Sequence, residues 1–161
     1  MAAGTEQENA GHVVQFHGDD RELADRVAGY LLGALDGGGP GATRAFALSP
    51  DAPAAARHFT VGAARRLGAA DLADDAALVV TELAANAVLH AQSGFTVDLA
   101  ARPGVLSISV RDTSPLPPAG AKSPLPPAPL HGLGAVDALA SRWGVEPLGH
   151  AGKSVWVELR R

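Results

Sequence analysis

The sequence predicts an α+β protein, and two stretches carry that reading. Residues 71–92, DLADDAALVVTELAANAVLHAQ, contain neither Gly nor Pro and open on acids, as a helix does. Phe95–Ala101 and Val105–Arg111 alternate apolar and polar side chains on either side of Arg102-Pro103-Gly104, which describes an antiparallel hairpin. From Ala76 to Leu89 the helix is apolar except for Thr81, Glu82 and Asn86, so Leu78, Val79, Leu83 and Ala87 call for a core.

Composition narrows the class. The 161 residues suffice for one domain with a core and a short extra element. The chain is 47% apolar and 19% charged, which is globular. A net charge of −4 and basic clusters no larger than Arg65-Arg66 and Arg160-Arg161 argue against nucleic acid. Without cysteine there is no disulfide, thiolate nucleophile or zinc–thiolate site. The six histidines are scattered, with no HExxH or other ligand spacing. The start MAAGTEQENAGH has neither a basic nor an apolar leader region, and no apolar run is long enough for a membrane span. The expectation is a soluble, cytoplasmic protein.

The remaining elements follow in order. Residues 1–11 are small and polar and read as unstructured. HVVQF (His12–Phe16) is a short strand, and Asp19–Leu35 is a helix with Leu23, Val27, Tyr30, Leu31 and Ala34 in one stripe. DGGGPG (Asp36–Gly41) is a flexible joint, which makes residues 12–42 an accessory strand–helix and linker and 43–161 the main domain. Thr43–Leu48 is a strand. Ser49 or Asp51 caps a helix to about Leu67, with Ala55, Phe59 and Ala63 on one side and Gly68 closing it. After Asp112 comes a loop, Leu116–Leu130, with seven of the twelve prolines between Pro115 and Pro129. SPLPPA occurs twice in it, at Ser114–Ala119 and Ser123–Ala128, a local duplication favouring extended conformation; such a loop serves as a lid or a surface excursion. HGLG (His131–Gly134) then opens a helix, AVDALASRW. Trp143–Pro147 is a strand or its start, LGHAG a turn, and Lys153–Leu159 a closing strand.

Glu82, Asn86 and His90 are spaced four apart and so share one helix face. Polar groups inside so apolar a run are costly without partners, which makes a ligand wall at least as good a reading as bonds to nearby loops. Asp112, at a strand end, can accept a hydrogen bond from an exocyclic amine. Glycines ahead of a helix allow close backbone approach and suit an anion. Asn86 offers a neutral oxygen to a hard cation, and Mg²⁺ needs few protein ligands when phosphates and water complete its shell. Together these groups suit a Mg-nucleoside triphosphate. Gly152-Lys153-Ser154 is not the end of a P-loop: Pro147 stands where the first glycine belongs, and a strand follows instead of a helix.

Three motifs in order resemble the GHKL (Bergerat-fold, histidine-kinase-like) ATPases, most of all the anti-sigma-factor serine/threonine kinases. TELAANAVLH is similar to their N box, VRDTSP to the box with the adenine-binding aspartate, and HGLGAVDALASRWGV with GKSVWVEL to the last box and closing strand. The resemblance spans roughly Arg44 to Leu159. It implies a two-layer α/β (α+β) sandwich whose mixed, mostly antiparallel sheet is covered on one face by helices. It implies ATP and Mg²⁺ as cofactors, Asn86 on metal and phosphate, Asp112 with Ser114 at the adenine, and His131, Gly132, Leu133 and Gly134 along the phosphates. Ser154 would reach a phosphate or an adenine-side water, and Glu82 would be the catalytic base. Either the last helix has lost two residues after Gly134, or Leu130 replaces the first glycine. The loss would rotate the helix by roughly 200°, which favours the ungapped alignment. The implied partners are a sigma factor, an anti-sigma antagonist or both, and a homodimer, with phosphorylation of a partner Ser or Thr as the activity. The rival readings are a nucleotide-sensing binding module without transfer and an interaction protein with a vestigial pocket. Separately, HVVQFHGDDRELADRVAGYLL resembles the first strand and helix of a bacterial sensory domain called MEDS.

Overall fold

The structure, a computed structural model, describes residues 13–15 (backbone only), 41–114 and 133–161. The expected helix Asp19–Leu35 and its MEDS resemblance, the proline-rich loop, His131 and Gly132 lie outside the described residues.

Among the described residues six strands form one sheet in the order β1-β5-β6-β4-β3-β2. They are β1 (Val13–Gln15), β2 (Gly41–Phe46), β3 (Phe95–Arg102), β4 (Val105–Asp112), β5 (Arg142–Pro147) and β6 (Lys153–Arg160). Among these described strands the β1–β5 pairing is parallel and the other four are antiparallel. The short strand near the start of the chain thus joins the edge of the main sheet. The β3–β4 hairpin turns at Pro103-Gly104, where Gly104 takes φ 71°, a region glycine enters without penalty.

Among the described residues three α-helices cover one face: α1 (Ala52–Arg66), α2 (Ala73–Asn86) and α3 (Gly134–Leu139). Leu106, Ile108 and Val110 of β4 and Val155, Val157 and Leu159 of β6 point to that side and form one core with Val79, Val80, Leu83 and Ala84 of α2. This is the expected two-layer sandwich with a mixed, mostly antiparallel sheet. At its β2 edge Phe46 stacks on Phe95 at 5.2 Å and meets Phe59 edge-on, and the Arg44 guanidinium sits over Phe46 and Phe59. Alternation sends Ser107, Ser109, Ser154, Trp156 and Glu158 to the opposite face, where they too are buried.

Several local expectations shift. Leu78 is half exposed, because α2 is buried along Ala73, Ala76, Ala77, Val80, Leu83 and Ala84. On α1 the buried face is Ala52, Ala56, Thr60, Ala63 and Ala64, while Ala55 faces solvent. Asp51 sits at the N-cap without a side-chain bond; its own N–H donates to Ser49 Oγ. The helix after the glycines stops at Leu139, shorter than expected. Trp143 is drawn into β5 opposite Val157 and donates its indole N–H to Asp137 at 2.8 Å, so the chain must already be extended there.

Candidate functional site

The long predicted helix is built in three pieces: a 3₁₀ turn (Ala70–Leu72), α2, and a π-helical turn over Ala87–Ala91. Gln92 ends it in the left-handed region at φ 49°. A π turn adds a residue to the helical repeat and is frequent at functional sites. Here it begins directly after Asn86 and leaves His90 exposed, so the expected three-residue polar line reduces to Glu82 and Asn86.

Asn86 Nδ2 is buried and has no hydrogen-bond partner. A buried amide donor without a partner costs free energy, about 1–3 kcal/mol, unless a ligand meets it. One turn back, both carboxylate oxygens of Glu82 accept from the Ala135 N–H, at 3.3 and 3.2 Å. Burial pushes the Glu82 carboxyl above its ordinary value and Asp137 adds to the rise, while the backbone N–H groups of Ala135 and Val136 hold it down. Glu82 is thereby fixed between α2 and the start of α3. Gly134 opens α3, and a side chain there would meet no atom within 4 Å, so nothing in the described chain demands a glycine. Leu133 is buried in the core.

Asp112 closes β4 on the helix-facing side of the sheet. Its Oδ1 accepts from the Ser114 N–H at 2.8 Å. Thr113 N–H donates to Ser93 Oγ, which ties this strand end to the chain leaving α2. Lys153, opposite Asp112 in the β4–β6 register, places Nζ 2.9 Å from Oδ2 and 3.0 Å from Oδ1, with both side chains almost fully buried. Gly152 lets β6 begin this close: at φ 112° a Cβ would lie 1.9 Å from the Asp112 carbonyl oxygen.

Ser154 is fully buried and its Oγ lacks a partner, but it pairs with Arg111 and Glu146 on the sheet face away from the helices. It does not join Glu82, Asn86 and Asp112; Lys153 holds the position facing the site. The alternation of KSVWVEL carries that signal, because Val155, Val157 and Leu159 must face the core and Lys153 shares their parity.

A cleft of about 440 Å³ lies beside Asp112 and Thr113, lined also by Phe46, Gly94, Phe95 and Leu148. A second, of about 300 Å³, lies at the opposite end of the sheet around the Arg102–Val105 turn and Arg161. Among the described residues no group of three or more His, Asp or Glu side chains could hold a metal. A cation here would rest on few protein ligands, and the Asn86 carboxamide fits Mg²⁺, which keeps water and phosphate oxygens in its shell.

The sheet order and the helices on one face make this an α+β sandwich domain. The chain belongs to the histidine kinase-like ATPase domain family, which matches residues 46–155. Membership in that family implies ATP as the ligand. Among solved structures, the crystal structure of the RsbU and RsbW domains of Rv1364c from Mycobacterium tuberculosis is similar, with a TM-score of 0.58 and 20% identity. The match covers 75% of this chain and 32% of that one, so this chain corresponds to about a third of its length. At such identity the likeness shows the fold alone. No curated protein matches the chain.

Proposed function

We propose that the protein is an ATP-dependent serine/threonine kinase of the anti-sigma-factor type, acting in the cytoplasm on an antagonist-like partner in bacterial transcriptional signalling. It would also bind a sigma factor, and could work as a homodimer. The observation that carries the proposal is the buried, unpartnered Asn86 amide one turn beyond a carboxylate fixed against α3.

The roles follow from the chemistry. Asn86 supplies an oxygen to Mg²⁺ and its orphaned N–H to a phosphate oxygen. Magnesium, when bound, neutralises charge on the phosphates. Asp112 accepts the adenine amine, with Ser114 holding the carboxylate in place. The family resemblance assigns His131, Gly132, Leu133 and Gly134 to the phosphates. The partner's hydroxyl oxygen attacks the γ-phosphorus, the bond to ADP breaks, and the hydroxyl proton passes to Glu82. Burial favours this assignment, since a base with a raised pKa takes a proton more readily near neutral pH. Ser154, on the far face of the sheet, has no part in it.

A second reading is a nucleotide-sensing binding module without transfer. In the ungapped alignment Leu130 stands where the family has its first glycine, and one fewer glycine against the phosphates favours this reading. Titration with Mg-ATP tests the shared part. Asn86→Ala should lose about a hundredfold or more in affinity, with unchanged thermal unfolding. Unchanged affinity would overturn the site assignment. Labelled ATP with candidate antagonist proteins then separates kinase from sensor.

A further inference from the structure

The base end of the site contains a cation that the proposed function leaves unused. An aspartate standing alone accepts an exocyclic amine and repels a carbonyl oxygen, and so favours adenine over 6-oxopurines. In this chain the aspartate does not stand alone. Lys153 Nζ lies within 3.0 Å of both Asp112 oxygens, and the two side chains are only 6% and 5% exposed. We propose that Lys153 sets base selectivity at this site: it neutralises Asp112 and adds a donor beside it, so that the pocket accepts 6-oxopurine nucleotides together with adenine nucleotides. The proposal rests on the nucleotide-binding reading above.

Lone-pair counting shows that the ion pair and a base can coexist. A carboxylate has about four acceptor positions. Oδ1 receives the Ser114 N–H and Lys153, and Oδ2 receives Lys153; the third ammonium N–H reaches the Ser114 carbonyl only at 3.5 Å, a long contact that a base acceptor would replace. One position on Oδ2 is left for a base N–H. Breaking a buried ion pair costs more than one charge-assisted hydrogen bond returns, so an incoming base binds beside Lys153 and does not displace it. What the base then meets is an acceptor next to a donor. Adenine presents an amine N–H beside the N1 acceptor. A 6-oxopurine presents an N1–H beside the O6 acceptor. Each edge satisfies the pair in one orientation, and the repulsion that would exclude O6 has been cancelled.

The location supports an effect on the base and not only on stability. The β4–β6 register puts Lys153 directly across from Asp112, on the face shared with α2. Its neighbour Ser154 faces the other way, so no hydroxyl of β6 competes for this position.

The test is equilibrium binding of Mg-ATP, Mg-GTP and Mg-ITP to the full chain and to Lys153→Thr and Lys153→Arg. The wild type should bind ATP and ITP within about tenfold of each other. Lys153→Thr should widen that ratio by about tenfold or more through lost ITP and GTP affinity, and Lys153→Arg should keep the wild-type ratio. Wild-type rejection of ITP by more than about a hundredfold would overturn the proposal while leaving ATP binding intact. So would an unchanged ratio in Lys153→Thr. Lys153→Met serves the same comparison if the threonine variant does not fold. No binding of any triphosphate by wild type or variants would overturn the nucleotide reading itself, and this proposal with it.

Discussion

The two ends of the sheet use the same kinds of side chain for different purposes. At the end where β3 turns into β4, charges are partnered: buried Glu158 is met by half-exposed Arg102 and Arg160, and Arg161 lies at the surface. Arg161 bonds the Gly68 carbonyl and the Asp71 carboxylate, with both ionic side chains about half exposed. At the other end α2 passes into a π turn, Gly152 adopts a conformation reserved for glycine, Asn86 leaves an amide unpaired, and Asp112 and Lys153 are buried as a pair. The surface pair at the first end costs little and stabilises little. The second carries several unfavourable features that packing alone does not require, which is how binding sites differ from the scaffold that holds them.

Breaking that contrast should give a graded series. The largest effect should come from Glu82→Gln, which keeps the shape and removes the base. Phosphotransfer should fall by about 10²–10⁴-fold with Mg-ATP affinity preserved. Because burial raises the Glu82 pKa, wild-type transfer should rise with pH through a midpoint above the ordinary glutamate range, and rate–pH profiles should show it. Transfer that survives in Glu82→Gln would remove this residue from the chemistry.

Next is Asp112→Ala, which strands a buried ammonium. Chemical denaturation should report a loss of about 3–5 kcal/mol. A loss below about 1 kcal/mol would mean that Lys153 reaches water once released.

A gain should come from Glu146, which lies across from Ser154 on the other face of the sheet. Burial pushes its carboxyl up to about 7. The folded state therefore binds its proton more tightly than the unfolded chain does. That contribution is complete below the unfolded value of 4.5 and is lost as pH rises through about 7. Glu146→Gln should be more stable than wild type at pH 8 by on the order of 2–3 kcal/mol, with the difference vanishing near pH 4.5. Parallel stability curves for the two proteins would refute this.

The smallest change is expected from Arg161→Ala at the opposite end. It should shift stability by at most about 1 kcal/mol, and less in high salt.

Much of this architecture is readable in the amino acids. A two-residue period marks both strands of the hairpin, and Pro103-Gly104 marks their turn. A Gly- and Pro-free run marks α2, and Glu82 and Asn86 stand out as polar residues in an apolar helix. Other features were not local enough to read. The same run suggested that His90 would follow Asn86 around the helix, yet the π turn rotates it into solvent. Leu78 looked like core because it is apolar, whereas small alanines on α2 let α1 and the sheet approach a different face. The family resemblance points to Ser154, but the alternation of β6 turns it to the far face and sets Lys153 toward the site.

Residue chemistry and periodicity along the chain determined the helices, the hairpin, the polar pair on α2 and the acid at the end of β4, because each depends on neighbours a few positions away. Tertiary structure alone decided that β6 lies against β4 and so sets Lys153 on Asp112. It alone brought the start of α3 onto Glu82 and buried the Asn86 amide without a partner. Those contacts join residues dozens of positions apart, and their free energy depends on burial, which no local pattern encodes.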